Sequence, residues 1–208
     1  TLENILNREN ALHPRLSTVH ADTVVGMEEA PKASLRKRTS SIAVAADLVK
    51  KDEADAVVSA GNTGATLACT VQKWRSLEGV SRPTLATVIP MPHHPVVLLD
   101  VGANIDCKPV HLKDFSVMGS VYAREIFGRR SPRVGLLNIG SEEGKGTELA
   151  QQVYKLLNDG SLNFIGNVEG GDLFSGRVDV VVCDGFVGNV VLKFGEGLFS
   201  FMTGYIKE

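Results

Sequence analysis

Four short runs of β-branched and aliphatic residues in this chain break in the same way, each into a loop built on glycine and asparagine and each followed by a helical candidate. Residues 56–60 (AVVSA) run into Gly61-Asn62-Thr63-Gly64, residues 96–101 (VVLLDV) into Gly102-Ala103-Asn104, residues 134–139 (VGLLNI) into the loop 140–146, and residues 178–183 (VDVVVC) into Asp184-Gly185. Continuous apolar strands alternating with helices are buried on both faces, so the pattern specifies a mostly parallel sheet and not a bundle or an antiparallel sandwich. Residues 84–89 and 163–165 are weaker strand candidates. Ile42, Ala45, Ala46 and Val49 fall at i, i+3, i+4, i+7 behind Ser40 or Ser41 as N-cap, and Leu149, Val153, Leu156 and Leu157 repeat the spacing up to Asn158-Asp159-Gly160. The expected class is α/β, a three-layer α/β/α arrangement with a mostly parallel sheet; the length fits one large or two intimate domains, and 1–208 is read as a single one.

Composition narrows the function. The chain has 208 residues, 43% hydrophobic and 22% charged, which fits a soluble globular protein and excludes collagen-like and disordered classes. Lys plus Arg (22) nearly balances Asp plus Glu (24), so there is no electrostatic case for nucleic-acid binding. Cys69, Cys107 and Cys183 form no C-x-x-C pair, which speaks against a zinc or redox site and for a reducing intracellular compartment. The greasiest stretch, 83–101, is interrupted by Pro90, Pro92, His93, His94 and Pro95, too often for a membrane span. Opening on Thr1 and closing on Lys207-Glu208, the chain reads as an excised piece of something longer.

In open α/β sheets, ligands bind beyond the carboxyl ends of the strands, where helix N-termini present unpaired N–H groups. The four Gly/Asn loops fall there, and their neutral donors suit a phosphate or another small oxyanion, although each loop alone also serves simply as a turn. The loop 140–146 differs from a nucleotide P-loop: only three residues separate Gly140 from Gly144, and Lys145 is followed by Gly146 instead of a hydroxyl residue. No G-x-G-x-x-G string follows a strand, which disfavours a nicotinamide cofactor, and no G-x-S-x-G elbow supplies a serine nucleophile. Cys107 beside Lys108 is either an acyl-accepting thiolate or an inert thiol, with the latter favoured. Adjacent His93 and His94 point to opposite sides of an extended chain, poor geometry for one metal. Asp100, Asp106 and Asp184 stand at strand ends as candidates for orienting lysines, for general-base work or for helix caps. Two basic groups, Lys32/Arg36/Lys37/Arg38 and Arg124/Arg129/Arg130/Arg133, are either docking patches for an acidic partner or solvated faces.

The strings SAGNTGATLA (59–68), LLDVGANIDCKP (98–109), MGSVYA (118–123), SPRVGLLNIGSEEGKGTEL (131–149), NFIGNVEGGDL (163–173) and VDVVVCDGFVGNVVLK (178–193) resemble, in order, the PlsX family of bacterial phosphate acyltransferases. The resemblance implies an isocitrate/isopropylmalate dehydrogenase-like fold, incomplete here at both ends, because the family's amino-terminal glycine-rich segment and its carboxyl-terminal portion are missing. It implies transfer of a fatty acyl group from acyl carrier protein thioester to inorganic phosphate, giving acyl phosphate for phospholipid synthesis. Carried over by motif, Lys145 of the G-K-G loop engages phosphate or the developing oxyanion, and Asn189 of D-G-F-x-G-N polarises the thioester carbonyl. Asn62, Thr63, Gly64, Asn104, Lys108, Gly146, Asp184 and Gly188 are expected to line the site.

No cofactor or metal is expected. The implied partners are acyl carrier protein, phosphate and a second copy in a homodimer, in the cytoplasm, with peripheral contact at the inner face of the cell membrane for the longer protein. Rival readings are a phosphotransacetylase-like acyl-CoA:phosphate transferase and a noncatalytic carrier-protein-binding module.

Overall fold

A computed structural model describes residues 2–207, and the chain forms two compact units, Thr1–Arg75 and Ser76–Glu208. The first unit is helical: α1 (Leu2–Arg8), α2 (Pro31–Ser34), α3 (Ser41–Lys50) and α4 (Thr63–Trp74). Ser40 caps α3 by accepting the Ala43 N–H, as the spacing predicts. Its small apolar centre joins Val25, Ile42, Ala65 and Cys69, and α4 is tied to α3 by Trp74 Nε1 donating to Ala46 O at 2.9 Å and by a 2.7 Å Lys73–Asp47 ion pair.

Residues 56–60, expected as a strand, are not one. A strand needs a hydrogen-bonded neighbour, and the unit's one β contact among the described residues is an isolated Thr23–Ser40 bridge. Val58 is 97% exposed, so the apolar run finds no face to cover within this unit.

The second unit is the α/β one: β1 (Ala86–Ile89), β2 (Val96–Leu99), α5 (Pro109–Phe127), β3 (Val134–Leu137), α6 (Glu148–Asn158), β4 (Phe164–Val168), a 3-10 turn (Gly170–Phe174), β5 (Val180–Val182) and α7 (Gly185–Lys207). The sheet runs β1-β2-β5-β3-β4, parallel except for the antiparallel edge strand β1, which pairs Ala86 with Leu99 and Ile89 with Val96. The VVLL and VVV runs are buried at every position because both faces are covered. On one face Leu112 and Phe115 of α5 and Val153 and Leu157 of α6 pack on Val97, Leu99, Leu136 and Val182. On the other, Leu173 and the α7 residues Val191 and Leu192 join Val96, Leu98, Val168 and Val181. Each buried aliphatic side chain contributes about 1.5–3 kcal/mol relative to exposure. Among the described residues no helix is long and apolar enough to cross a membrane.

At the amino-terminal ends of the parallel strands, Asp179 gathers charge. Its carboxylate accepts from Arg133 N–H and Nε at 2.8 Å and from Arg133 Nη2 at 3.2 Å, and Arg129 Nε lies 3.4 Å away. Two arginines of the second basic group are therefore turned onto an internal aspartate. His94 Nε2 is 3.1 Å from Arg133 Nη2. The same nitrogen faces Gly176 O at 3.2 Å, and Nδ1 lies 3.5 Å from Asp179 Oδ1.

Candidate active site

Because β5 lies between β2 and β3, the loops that follow these three strands are neighbours along one sheet edge. The loop after β2 is built around Asp100. Its Oδ1 accepts from Leu85 N and Ala103 N, each at 3.1 Å, and its Oδ2 from Asn104 N at 2.7 Å and Asn104 Nδ2 at 2.8 Å. With four N–H groups converging on a fully buried carboxylate, Asp100 shapes the loop and is not placed as a solvent-facing base. Asn104 donates its other amide hydrogen to Pro83 O at 2.9 Å, and its carbonyl accepts Gly185 N at 2.8 Å and the Cys107 thiol at 3.3 Å. The Asn104 amide donors are thus already committed inside the protein.

Burial raises the Cys107 thiol to about 11, with the charges of Asp100 and Asp184 adding to the effect. It stays protonated near neutrality, so the inert reading of Cys107 holds and the thiolate reading does not. Lys108 is the exposed N-cap of α5, where its N–H donates to His111 Nδ1 at 3.0 Å. Burial, then Arg82 and Lys108, lowers the pKa of His111 and keeps the neutral ring that this acceptor role requires.

The loop after β5 opens α7. Asp184 Oδ1 accepts the N–H groups of Phe186 and Val187, each at 3.0 Å, which makes it the helix cap. Gly188 is required by close approach: a Cβ there would run into the Asp100 carbonyl and stand 3.0 Å from Cys183 Sγ. One residue on, Asn189 is exposed, its Cγ 3.5 Å from the position a Cβ on Gly102 would take. The α7 start and the β2 loop therefore touch at both Gly188 and Asn189.

The loop after β3 carries Lys145. Its ammonium is 3.9 Å from Glu142 Oε1, and its side chain is 52% exposed. Gly146 has φ +86°, and a Cβ on it would lie 2.8 Å from Asn138 Cγ, so the position admits only glycine. Two side chains not singled out from the sequence hold this loop. Asn138 Nδ2 donates to Lys145 O at 3.0 Å, and Asn167 Nδ2 donates to Glu142 O at 2.8 Å. The signal available for Asn167 was the glycine before it inside a strand, a mark of a bulge. Among the described residues no hydrogen bond links Lys145 to Asn189.

Asn62, Thr63 and Gly64 belong to the first unit. Asn62 caps α4 by accepting Ala65 N at 2.9 Å, and its Nδ2 faces the carbonyls of Gly26, Met27 and Glu29 at 3.2, 3.0 and 2.9 Å. Thr63 is exposed, and Gly64 lets α4 pass Pro31, whose Cγ would be 2.6 Å from a Cβ there.

The family model described as "Fatty acid synthesis protein" matches residues 1–208. The phosphate acyltransferase of Desulforamulus reducens is 55% identical over 194 residues, 93% of this chain and 58% of the relative. Those of Syntrophotalea carbinolica and Aquifex aeolicus are 52% and 51% identical over 207 residues, covering 99% and 100% of this chain and 60% of each relative. The chain thus spans about three fifths of the length of these curated relatives. In fold it is similar to the EutD phosphotransacetylase from Staphylococcus aureus, with a TM-score of 0.64 at 15% identity over 96% of this chain and 72% of that one. A branched-chain phosphotransacylase from Enterococcus faecalis is a further neighbour, with a TM-score of 0.50 at 15% identity over 92% of this chain and 78% of that one. The chain belongs to the family of fatty acid synthesis proteins whose similar curated members are phosphate acyltransferases.

Proposed function

We propose that the protein containing this chain transfers a fatty acyl group from acyl carrier protein thioester to inorganic phosphate. A phosphate oxygen attacks the thioester carbonyl carbon, the carbonyl π electrons move onto oxygen, and the tetrahedral adduct collapses. The C–S bond breaks, and the carrier-protein thiolate leaves and takes a proton from solvent. Phosphate is already a nucleophile and the thioester is already activated, so the protein's work is alignment and stabilisation of the oxyanion.

The observation that carries this reading is a sorting of polar groups at the strand-end edge. Asp100, Asn104 and Asp184 are held by internal hydrogen bonds, while Lys145 and Asn189 present exposed donors. Lys145 supplies a cation for phosphate, and Asn189 an amide N–H for the carbonyl oxygen as charge develops on it. Lys108 adds an exposed cation beside the start of α5. Gly146, Gly188, Asn104 and Asp184 contribute by giving the loops their shape. Asn62 and Gly64 fix the start of α4, where Thr63 presents a hydroxyl. The proposal includes a homodimer in the cytoplasm, with peripheral contact at the inner membrane face for the whole protein.

Trapping the product with hydroxylamine tests this directly. Acyl hydroxamate should form from acyl carrier protein thioester and phosphate, and should vanish when phosphate is omitted. Product from the coenzyme A thioester alone would transfer the reading to an acyl-CoA:phosphate transferase. Carrier-protein binding without product from either donor would leave a binding module.

A further inference from the structure

The register of β4 against β3 contains one extra residue. Val134 pairs with Phe164, but Leu136 pairs with Asn167 and Leu137 with Val168, so two steps on β3 meet three on β4. The surplus falls at Ile165-Gly166, where Gly166 has φ +92°. In an unbroken ladder Asn167 would stand opposite Leu137, whose side chain packs with Val168, Val181 and Leu173 on the α7 face. The bulge puts it opposite Leu136, on the face covered by α5 and α6, and there its amide meets the loop after β3.

Asn167 is 4% exposed, and its Oδ1 has no hydrogen-bond partner among the described residues. A buried bare acceptor lowers stability, and a leucine of similar size would avoid that cost. What the asparagine offers in return is one N–H, donated to Glu142 O at 2.8 Å. The same carbonyl accepts the Lys145 N–H at 3.1 Å. Asn167 is therefore one carbonyl away from the backbone of the lysine, and Asn138 holds the other side of that residue through Lys145 O.

We propose that Asn167 is a positioning residue for Lys145: by anchoring the Glu142 carbonyl it fixes the 142–145 turn and so the place from which the ammonium reaches phosphate. The inference rests on the reading of Lys145 as the phosphate-binding cation. The bulge, the bare acceptor and the shared carbonyl are three separate features of the fold that this one role explains together.

The test uses the whole protein with Asn167→Leu, Lys145→Met and the double variant, measuring phosphate affinity by calorimetry together with KM for phosphate and for the acyl thioester. Asn167→Leu should weaken phosphate binding and raise its KM by about 10- to 100-fold, leaving the thioester KM unchanged and the melting temperature at or above its wild-type value. In the Lys145→Met background the same change should add nothing, because the group it positions is gone. Wild-type phosphate KM in Asn167→Leu, or a full loss in both backgrounds, overturns the positioning role while leaving the functional reading intact. Unchanged phosphate binding and turnover in Lys145→Met overturns both. If the leucine variant does not fold, Asn167→Asp, which keeps the shape and removes the N–H, is measured and judged in the same way.

Discussion

The two edges of the sheet in the second unit use polar groups in opposite ways. At the amino-terminal edge Asp179, Arg133, Arg129 and His94 meet, and their contacts tie together the starts of β2, β3 and β5. At the carboxyl-terminal edge the loops satisfy their own backbone through Asp100, Asn104, Asp184, Asn138 and Asn167 and leave Lys145 and Asn189 presented to solvent. One edge ties the strands together and the other leaves Lys145 and Asn189 exposed. A polar residue's role therefore follows from whether its hydrogen-bonding capacity is already taken, and residue type alone does not reveal that.

The strongest attempt to break this contrast is Lys145→Ala. By analogy with the loss of one oxyanion-hole donor, turnover should fall about 10²- to 10³-fold, with no change in the denaturation midpoint because the side chain is half exposed. Single-turnover rates and urea curves on the same preparation check both halves. Asp179→Ala should do the reverse, destabilising by about 3 kcal/mol, the low end for breaking a buried ion pair, since Arg133 and Arg129 retain some solvent. The folded fraction should turn over normally, and a loss of turnover per folded molecule would erase the distinction between the edges.

Acid sharpens the same comparison. Burial alone would raise the Asp179 carboxyl, but the Arg133 hydrogen bonds and the charges of Arg133 and Arg129 outweigh it and hold the group below its ordinary value of 3.8. A depressed carboxyl stabilises the fold above its unfolded-state pKa, and that contribution is lost as pH falls through the lower folded value. The stability difference between wild type and Asp179→Asn should therefore be constant near neutrality and shrink below about pH 4. A smaller effect is expected in the first unit, where Asn62→Ala removes a cap and should cost about 1–2 kcal/mol by urea denaturation. A changed phosphate KM with no loss of stability would instead give Asn62 a ligand. Smallest of all, Cys107→Ser should keep turnover within about twofold, because a thiol protonated near neutrality takes no acyl group.

Much of the sheet was legible because its strands are short continuous aliphatic runs, and both helices identified by spacing are present, α3 behind Ser40 and α6 ending at Asn158. The run at 56–60 reads identically and is not a strand, since strand formation depends on a neighbour that local sequence does not specify. The candidate site was legible to the level of its loops. Asn62, Asn104 and Asn189 all stand beside glycines and look alike in sequence. What separates them are contacts from afar, such as the reach of the Asn62 amide to Gly26, 36 residues away, or of Asn104 to Pro83, 21 away. Asn167 escaped notice because one surplus residue in β4 reverses the face on which it stands, and alternation counted along the sequence gives the opposite answer.

The four N–H groups gathered on Asp100 have a thermodynamic corollary. A loop cast around its own carboxylate is held in one shape by its own hydrogen bonds, so a ligand bound beside it would take little backbone freedom from it. The rotamer freedom a ligand would take is instead that of the half-exposed side chain of Lys145, whose immobilisation would cost about 1.5–2 kcal/mol. Ligand affinity at this edge should then respond more to how tightly one lysine is tethered than to any change of loop conformation.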